Sequence, residues 1–447
     1  MKKQNVKVKL VAIIIMIVVT ISCTDDHFVY QDDSPYSGQP SHLISSLDAI
    51  RRAEDVMGKF YGQTRAENTI KDIKLVRGRT RADSEDAMGI YIVNYDEGFA
   101  IVSADSRLPV VFAVSDEGNF SISDTIAHRP LKAFVDRMIY CNMQHLETRS
   151  ILDGLEGYEI ISEGYKDICK PILNSGLTKF QQFAPYNKYC INSDTVVCPV
   201  GCTPLAIGTI MGALRWPDSI NWTTTVRNTL VTRRIALDWD KMYKDLENDL
   251  WAKLFRAIGI AGKTKYEPHQ SSTSVEDINP IFPKFDYKEP SRQTFTDDTL
   301  NKVMANRKLA MIGGTVVSKN ASGERHTFII DAAAQISYLI RLASDISVSD
   351  QINSNIGSQG NLKTLTENYY RCIWGWGVKG NAYYLFNVDI KTEVNNGELE
   401  TRRIYTVNAN DCKFKEYEGK ENKLPYEIQF NVLTHNFIPT KFKKLKK

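Results

Sequence analysis

Histidine is scarce in this sequence, and neither sign of charge is in excess. Only 7 histidines occur in 447 residues, and 56 Lys and Arg against 53 Asp and Glu leave a formal net charge of +3. So small an imbalance gives no electrostatic reason to expect a nucleic-acid partner. Beyond the N-terminus there is no apolar run long enough to span a bilayer, and no internal repeat is visible. No cofactor and no metal is expected. The shortage of histidine confines any general base to a few positions. His27 and His42 lie in a polar N-terminal stretch, His128 and His145 in the first third of the chain, and His269 and His435 in polar contexts. His326 opens the β-rich run HTFIIDA.

The N-terminus carries Lys2, Lys3, Lys7 and Lys9 ahead of an apolar run from Leu10 to Ile21. That run is short for a membrane span and fits the core of a signal peptide. It stops at Cys23, preceded by Thr20, Ile21 and Ser22, which resembles a loosened bacterial lipobox with threonine in place of the usual leucine. Two outcomes are open: lipidation of Cys23 as the new N-terminus, or ordinary secretory cleavage nearby. Asp25 and Asp26 resemble the acidic export signal of some surface lipoproteins. The expected location is the cell envelope, lipid-anchored to the outer membrane or cell surface, or outside the cell. Eight cysteines in an exported chain suggest a disulfide framework. Apart from Cys23 and Cys202, the candidates are Cys141, Cys169, Cys190, Cys198, Cys372 and Cys412. No pairing follows from sequence: Cys190 and Cys198 flank a short loop that a bond can close, and buried or free thiols are the alternative.

Composition and periodicity divide the chain as 1–22 signal peptide, 23–43 tether, 44–150 a small α+β domain, 151–170 linker, 171–392 a second domain and 393–447 a β-rich extension with a basic tail. Leu47 to Tyr61 places Ala53, Val56, Met57 and Phe60 on one helical face. A polar, Arg-rich loop is expected to about Ala87, followed by a three-stranded meander in GIYIVNYDEGFAIVSADSRLPVVFAVSDEG and a helix from Pro130 to about Thr148. That order suffices for an independent small domain. Between Arg149 and Pro171 periodicity fades and glycines recur, as expected of a boundary open to proteolysis. The second domain puts helices first and strands afterwards, which predicts an α+β fold with an antiparallel sheet or barrel packed on helices.

Its centre is Cys202. Ala206, Ile210 and Leu214 recur four residues apart, predicting a helix with Thr203 as cap, Pro204 in its first turn and Pro217 ending it. A cysteine at a helix N-terminus has its thiolate stabilised by the macrodipole and by N–H groups without partners. His326, about 120 residues later, can face it across a two-lobed cleft and draw its proton, so that the thiolate attacks a peptide carbonyl. The Cys202 N–H and the Gln182 side chain are candidate oxyanion donors. Taken singly, the residues have plainer readings: a buried cysteine, a structural histidine, and Trp374 and Trp376 as hairpin packing.

Their collinear order resembles the streptopain family of secreted bacterial cysteine peptidases. Phe180, Gln182, Pro185, Tyr186 and Asn187 match its W-x-Q-x-x-P-Y-N segment with Phe for Trp. Gly201 to Ala206, Ile210-Met211 and Trp216-Pro217 match its nucleophile segment, and Asp238 to Met242 its D-W-D-x-M run. Arg325 to Ala332 match its histidine strand, and Ile373 to Gly377 its N-W-G-W-G segment. The resemblance covers about residues 44 to 390. It implies a papain-like two-lobed peptidase domain and an inhibitory propeptide at 44–150, cleaved within 151–170 to activate a zymogen. It also implies Cys202 and His326 as the catalytic pair, with Gln182 and Trp374 supporting. The partners so implied are a protein or peptide substrate, the chain's own propeptide as intramolecular inhibitor, and a membrane through the lipid anchor.

Four departures stand out. Ile373 occupies the position of an asparagine near the histidine, Arg325 that of a small glycine, Thr203-Pro204 changes the first turn of the catalytic helix, and the polar stretch between Asp331 and Trp374 is long, with a lid over the cleft or a disordered loop as its two readings. Ile373 is expected to leave the imidazole without an orienting side chain, so that Ile373→Asn raises turnover about tenfold. The competing reading is a non-catalytic surface lipoprotein that keeps the scaffold to bind peptide or protein; a purely structural module leaves the cysteine, the histidine and the propeptide unexplained.

Overall fold

Ser46–Tyr61 is helical (α1) because both of its ends are capped and one face is apolar. The Ser45 hydroxyl accepts from the Asp48 N–H at 3.1 Å, and Gly62 closes the helix in a left-handed conformation, φ 66°. Ala49, Ile50, Ala53, Val56 and Met57 are buried at helical spacing. They lie against a sheet whose first strands are β1 (Ile70–Arg77), β2 (Gly89–Tyr95), β3 (Phe99–Ser103) and β4 (Val111–Ser115). The expected meander is β2 to β4. The strand β1 lies in the stretch expected to be a polar loop, since Lys71, Asp72, Lys74 and Arg77 mask its β character. Charge of this kind is common on an edge strand, and β1 pairs only with β2.

The computed structural model describes residues 43–62, 69–77, 89–105, 111–122, 158–226, 229–290, 292–318, 321–342, 362–393, 399–406 and 426–433. The expected signal peptide, Cys23, the tether, the helix from Pro130 and the basic tail lie outside them. All described residues fall in one compact unit, Pro40–Lys447. No helix among them is long and apolar enough to cross a membrane.

Downstream come β5 (Tyr158–Cys169), α2 (Cys202–Leu214), the polar hairpin β6 (Ser219–Val226) and β7 (Thr229–Ala236), α3 (Trp239–Lys244) and α4 (Asp249–Ala261). The short β8 (Lys265–Tyr266) and β9 (Ser271–Ser272), β10 (Arg292–Thr294) and α5 (Asp297–Ala305) follow. The chain then supplies β11 (Ala310–Ser318), β12 (Ala321–Leu342), β13 (Lys363–Ile373), β14 (Ala382–Glu393), β15 (Leu399–Thr406) and β16 (Tyr426–Leu433). One sheet runs β1-β2-β3-β4-β14-β13-β12-β11-β16-β10, with β5 added to β12 and β15 to β14; its pairings are antiparallel. The α+β expectation is met. The C-terminal extension gives β16 to this sheet, alongside β11.

Strand periodicity explains how one sheet serves two cores. Ile312, Phe328, Ile330 and Cys372 belong to a core shared with α1 and β2 to β4. Met311, Ile329 and Ile373, their neighbours in sequence, point the other way into a core built by α2, α4 and Trp239. The sequence suggested an independent domain at 44–150; among its described residues, the apolar side chains of α1 and β2 to β4 share one core with the later strands. These apolar side chains continue onto β11 to β14, and β4 pairs β14 directly, Val114 opposite Tyr383 and Ala113 opposite Tyr384.

The expected linker also needs correcting. Tyr158–Cys169 is not an open segment but β5, laddered to β12 from Ala333 to Leu342. Its outward side chains are largely exposed and polar, which hides the strand from a hydrophobic pattern. On either side of 343–361, which lie outside the described residues together with the expected lid or loop, the long stretch after Asp331 is strand, β12 laddered to β13. Asp331 is fully buried at the root of that ladder. It receives two hydrogen bonds from Arg371, at 2.9 and 2.8 Å, and one from the Leu173 N–H at 3.0 Å.

Candidate active site

Cys202 is the first residue of α2, not the residue before it, and the cap is Gly201 rather than Thr203. Gly201 has φ 93°, a conformation only glycine adopts without strain, and a Cβ there would sit 3.3 Å from the Ser271 carbonyl oxygen. The ladder of α2 begins with Leu205 N–H to Gly201 C=O, 3.1 Å. The N–H groups of Cys202 and Thr203 therefore stand outside it at the positive end of the helix. Almost every side chain of α2 is buried, so the recurrence of Ala206, Ile210 and Leu214 marks the helix without marking a single apolar face, and Leu214 itself is exposed. The helix sits in the helical core against α4, where Gly208 leaves room for Phe255; a Cβ would come within 2.5 Å of that ring.

His326 comes from β12, opposite Gly314 of β11, and is 5% exposed. Its ring hydrogen-bonds the half-buried sulfur of Cys202. Burial works to raise that thiol, but the hydrogen bond and charge of His326, aided by Thr327, more than offset it and bring it down from 9.0 to about 7. Thr203 and Thr327, each next to a member of the pair, join hydroxyls at 2.9 Å and lock helix to strand.

The other side of the imidazole is held by main chain. His326 Nε2 is 2.8 Å from the Trp374 carbonyl oxygen. A carbonyl only accepts, so Nε2 carries the proton and Nδ1 is left for the sulfur. Trp376 stacks on the ring with centroids 4.5 Å apart. The loop bearing these indoles is fixed by Asn381, whose Oδ1 accepts from the Trp374 N–H at 3.0 Å and whose Nδ2 donates to Thr178 and Gly377 carbonyls. Gln182 lies in a segment pinned to the same loop. Gln181 bridges Trp376, Gly377 N–H bonds Phe180 C=O at 3.0 Å, and Gln182 C=O accepts from Val200 N–H at 2.8 Å.

The fold thus brings Cys202, His326, Gln182 and Trp374 into one region, whereas Cys23 lies outside the described residues. His269 is exposed on the polar turn between β8 and β9. Arg325, beside His326, is exposed as well. Ile373 is 5% exposed and joins Cys202, Leu205, Ala206 and Thr327 around a small apolar recess. The sequence pointed to a missing orienter at this position, but the Trp374 carbonyl supplies one. Ile373→Asn should therefore leave turnover within about twofold and lower stability by roughly 1–3 kcal/mol for a buried amide without partners. A tenfold gain in turnover in a thermally intact variant would overturn this account of the carbonyl. Sequence reasoning missed Asn381 and Thr327. Asn381 lies in GVKGNA, which reads as a turn, and nothing in HTFIIDA sets Thr327 apart from other strand threonines.

Residues 180–384 match the Peptidase C10 family and residues 42–139 match the Spi protease inhibitor family. Among solved structures, a fragment of Prevotella intermedia prointerpain A is similar at 17% identity over 71% of this chain and 91% of that one, with TM-score 0.42. Active wild-type Prevotella intermedia interpain A cysteine protease is similar at 16% identity over 50% and 87%, with TM-score 0.33. A search of curated proteins gives no match. Residues 180–384 are thus a region of the peptidase C10, or streptopain, family of cysteine peptidases, preceded at 42–139 by a region of the Spi protease inhibitor family.

Proposed function

We propose that the chain is a cysteine endopeptidase made as a zymogen, with Cys202 and His326 as its catalytic dyad. The observation that carries this reading is the pairing itself: a thiol lowered to about 7 by a histidine whose far nitrogen is committed to a carbonyl. His326 Nδ1 takes the Cys202 proton, and the imidazolium keeps its Nε2–H on Trp374 while the thiolate attacks a peptide carbonyl. The oxyanion is met by the Cys202 N–H and the Gln182 amide, after which His326 protonates the leaving amine. Trp374 and Trp376 shield the imidazole from water and fix its plane. The alternative, a peptide-binding scaffold, rests on the departures around the dyad, and the Trp374 carbonyl beside His326 weighs against the part of it that concerns Ile373.

The test is labelling by a thiol-directed epoxide inhibitor after removal of residues ahead of β5. Modification at Cys202 alone supports the dyad, because only a lowered thiol reacts selectively. Equal modification of several cysteines would sink it.

Processing belongs ahead of Tyr158, because β5 is held in the sheet and a protease needs an extended, unpaired substrate. Anchoring belongs at Cys23, supported by the basic residues and apolar run before it. Mass spectrometry of N-termini checks both. Acylated Cys23 is expected on the full chain and a new terminus between 149 and 158 on the active form; a terminus inside β5 or an unmodified Cys23 counts against each respectively.

A further inference from the structure

Cys190 and Cys198 face each other across the loop that leads into the nucleophile. Ile191 and Val197 form an antiparallel bridge, Asn192 N–H donates to Val196 C=O at 3.1 Å, and Cys198 N–H donates to Cys190 C=O at 2.7 Å. In that pattern Cys190 and Cys198 are the next directly opposed pair. Opposed residues sharing a backbone hydrogen bond stand about 5.5 Å apart at Cα with side chains on one face. A disulfide spans about 4.4–6.8 Å. Both side chains are fully buried, and both are thiols in this structure. Burial, with Cys198 close by, pushes the Cys190 thiol up to about 11, the opposite direction from Cys202. Other described cysteines are out of reach of one another. Cys169 on β5 and Cys372 on β13 flank β12, two strand spacings or about 10 Å apart.

We propose that Cys190 and Cys198 are a disulfide site, oxidised as the chain folds, which closes the loop 191–197 ahead of Cys202. The oxidant is itself a disulfide, of a thiol–disulfide oxidoreductase or of low molecular weight. One cysteine thiolate attacks an acceptor sulfur, breaking its S–S bond and expelling one thiolate. The second cysteine thiolate then attacks the first cysteine's sulfur and expels the other. Two electrons and two protons pass to the acceptor, which leaves as two thiols. Full burial in the folded chain places this exchange before the loop packs and shields the finished bond. The bond completes a set of restraints already visible around the loop exit: Asn187 Nδ2 to Cys198 C=O at 3.1 Å, Ser271 Oγ to Pro199 C=O at 2.6 Å, and Val200 N–H to Gln182 C=O. Within the loop, Asn192 Oδ1 accepts from the Asp194 and Val196 N–H groups at 3.0 and 2.9 Å, while Ile191, Val196 and Val197 are exposed.

The full chain carrying Cys202→Ala is refolded from urea in a buffer of oxidised and reduced glutathione, alkylated under denaturing conditions, and mapped by mass spectrometry. The expected product links Cys190 to Cys198, is two hydrogens lighter than the reduced chain, and melts about 3 °C above it. Cys198→Ser should lose both the link and the shift. Alkylation of both Cys190 and Cys198 after oxidising refolding, or a link from either to another cysteine, overturns the proposal. Mapping on the parent chain stands even where the serine variant fails to fold.

Discussion

Replacing His326 by alanine should lower kcat/KM by roughly 10⁴-fold or more and move the titration of Cys202 from about 7 to above the ordinary thiol value of 9.0. Two opposed effects set that titration in the intact chain. Burial raises the thiol, while the His326 hydrogen bond and charge lower it by more. Removing the histidine leaves burial acting with only Thr327 against it. The sign follows directly. In the wild type, alkylation by iodoacetamide at Cys202 should climb as pH rises through about 7, because the thiolate is the reacting form. In His326→Ala the climb should be deferred beyond pH 9. His326→Gln, which keeps a polar side chain beneath Trp376, should behave alike in reactivity and stay closer to wild type in thermal stability. An alkylation midpoint unchanged by both variants would mean that the sulfur is not activated by this residue.

The second large effect concerns stability. Arg371→Met should destabilise the chain by about 3–5 kcal/mol, since it leaves the Asp331 carboxylate buried with no cation beside it. For a chain of this size that corresponds to a fall in Tm of roughly 3–5 °C. The double variant Arg371→Met/Asp331→Leu should recover much of the loss, because the pair as a whole gives back in desolvation most of what it gains in attraction. Thermal melts of the single and double variants decide the matter. A double variant no more stable than the single would show that the cost comes from lost packing around the arginine stem and not from the stranded charge.

What could be read from the chain beforehand divides along physical lines. Helix α1 announced itself through Ala53, Val56 and Met57, and the meander through uninterrupted apolar strands between turn residues. Strand β5 and the hairpin β6–β7 did not, because their side chains face water and carry polar groups; only the backbone ladder makes them strands. The shared core was invisible for another reason. The apolar residues of β2 to β4 indicate burial, but nothing local says that Tyr383 and Tyr384, some 270 residues on, lie beside them. At the site, Cys202 and His326 carry chemistry in their side chains and could be singled out. The orienting group is a peptide carbonyl, which every residue has, so the sequence drew attention to Ile373 as a loss when the replacement was already in the backbone of Trp374.

Pairing of β4 with β14 has a consequence for how the chain comes to be folded. Ser115 Oγ bonds the Asn381 carbonyl at 2.7 Å across 266 positions, so the edge of the N-terminal strands stays open until most of the polypeptide has been made. Closing a loop of that length is slow compared with forming α1 or a hairpin. During that interval an apolar strand edge is available to other chains, which is the condition under which newly made proteins aggregate. The N-terminal region therefore cannot act as a finished template that the rest folds upon. It is completed by the peptidase at the same moment that it restrains it.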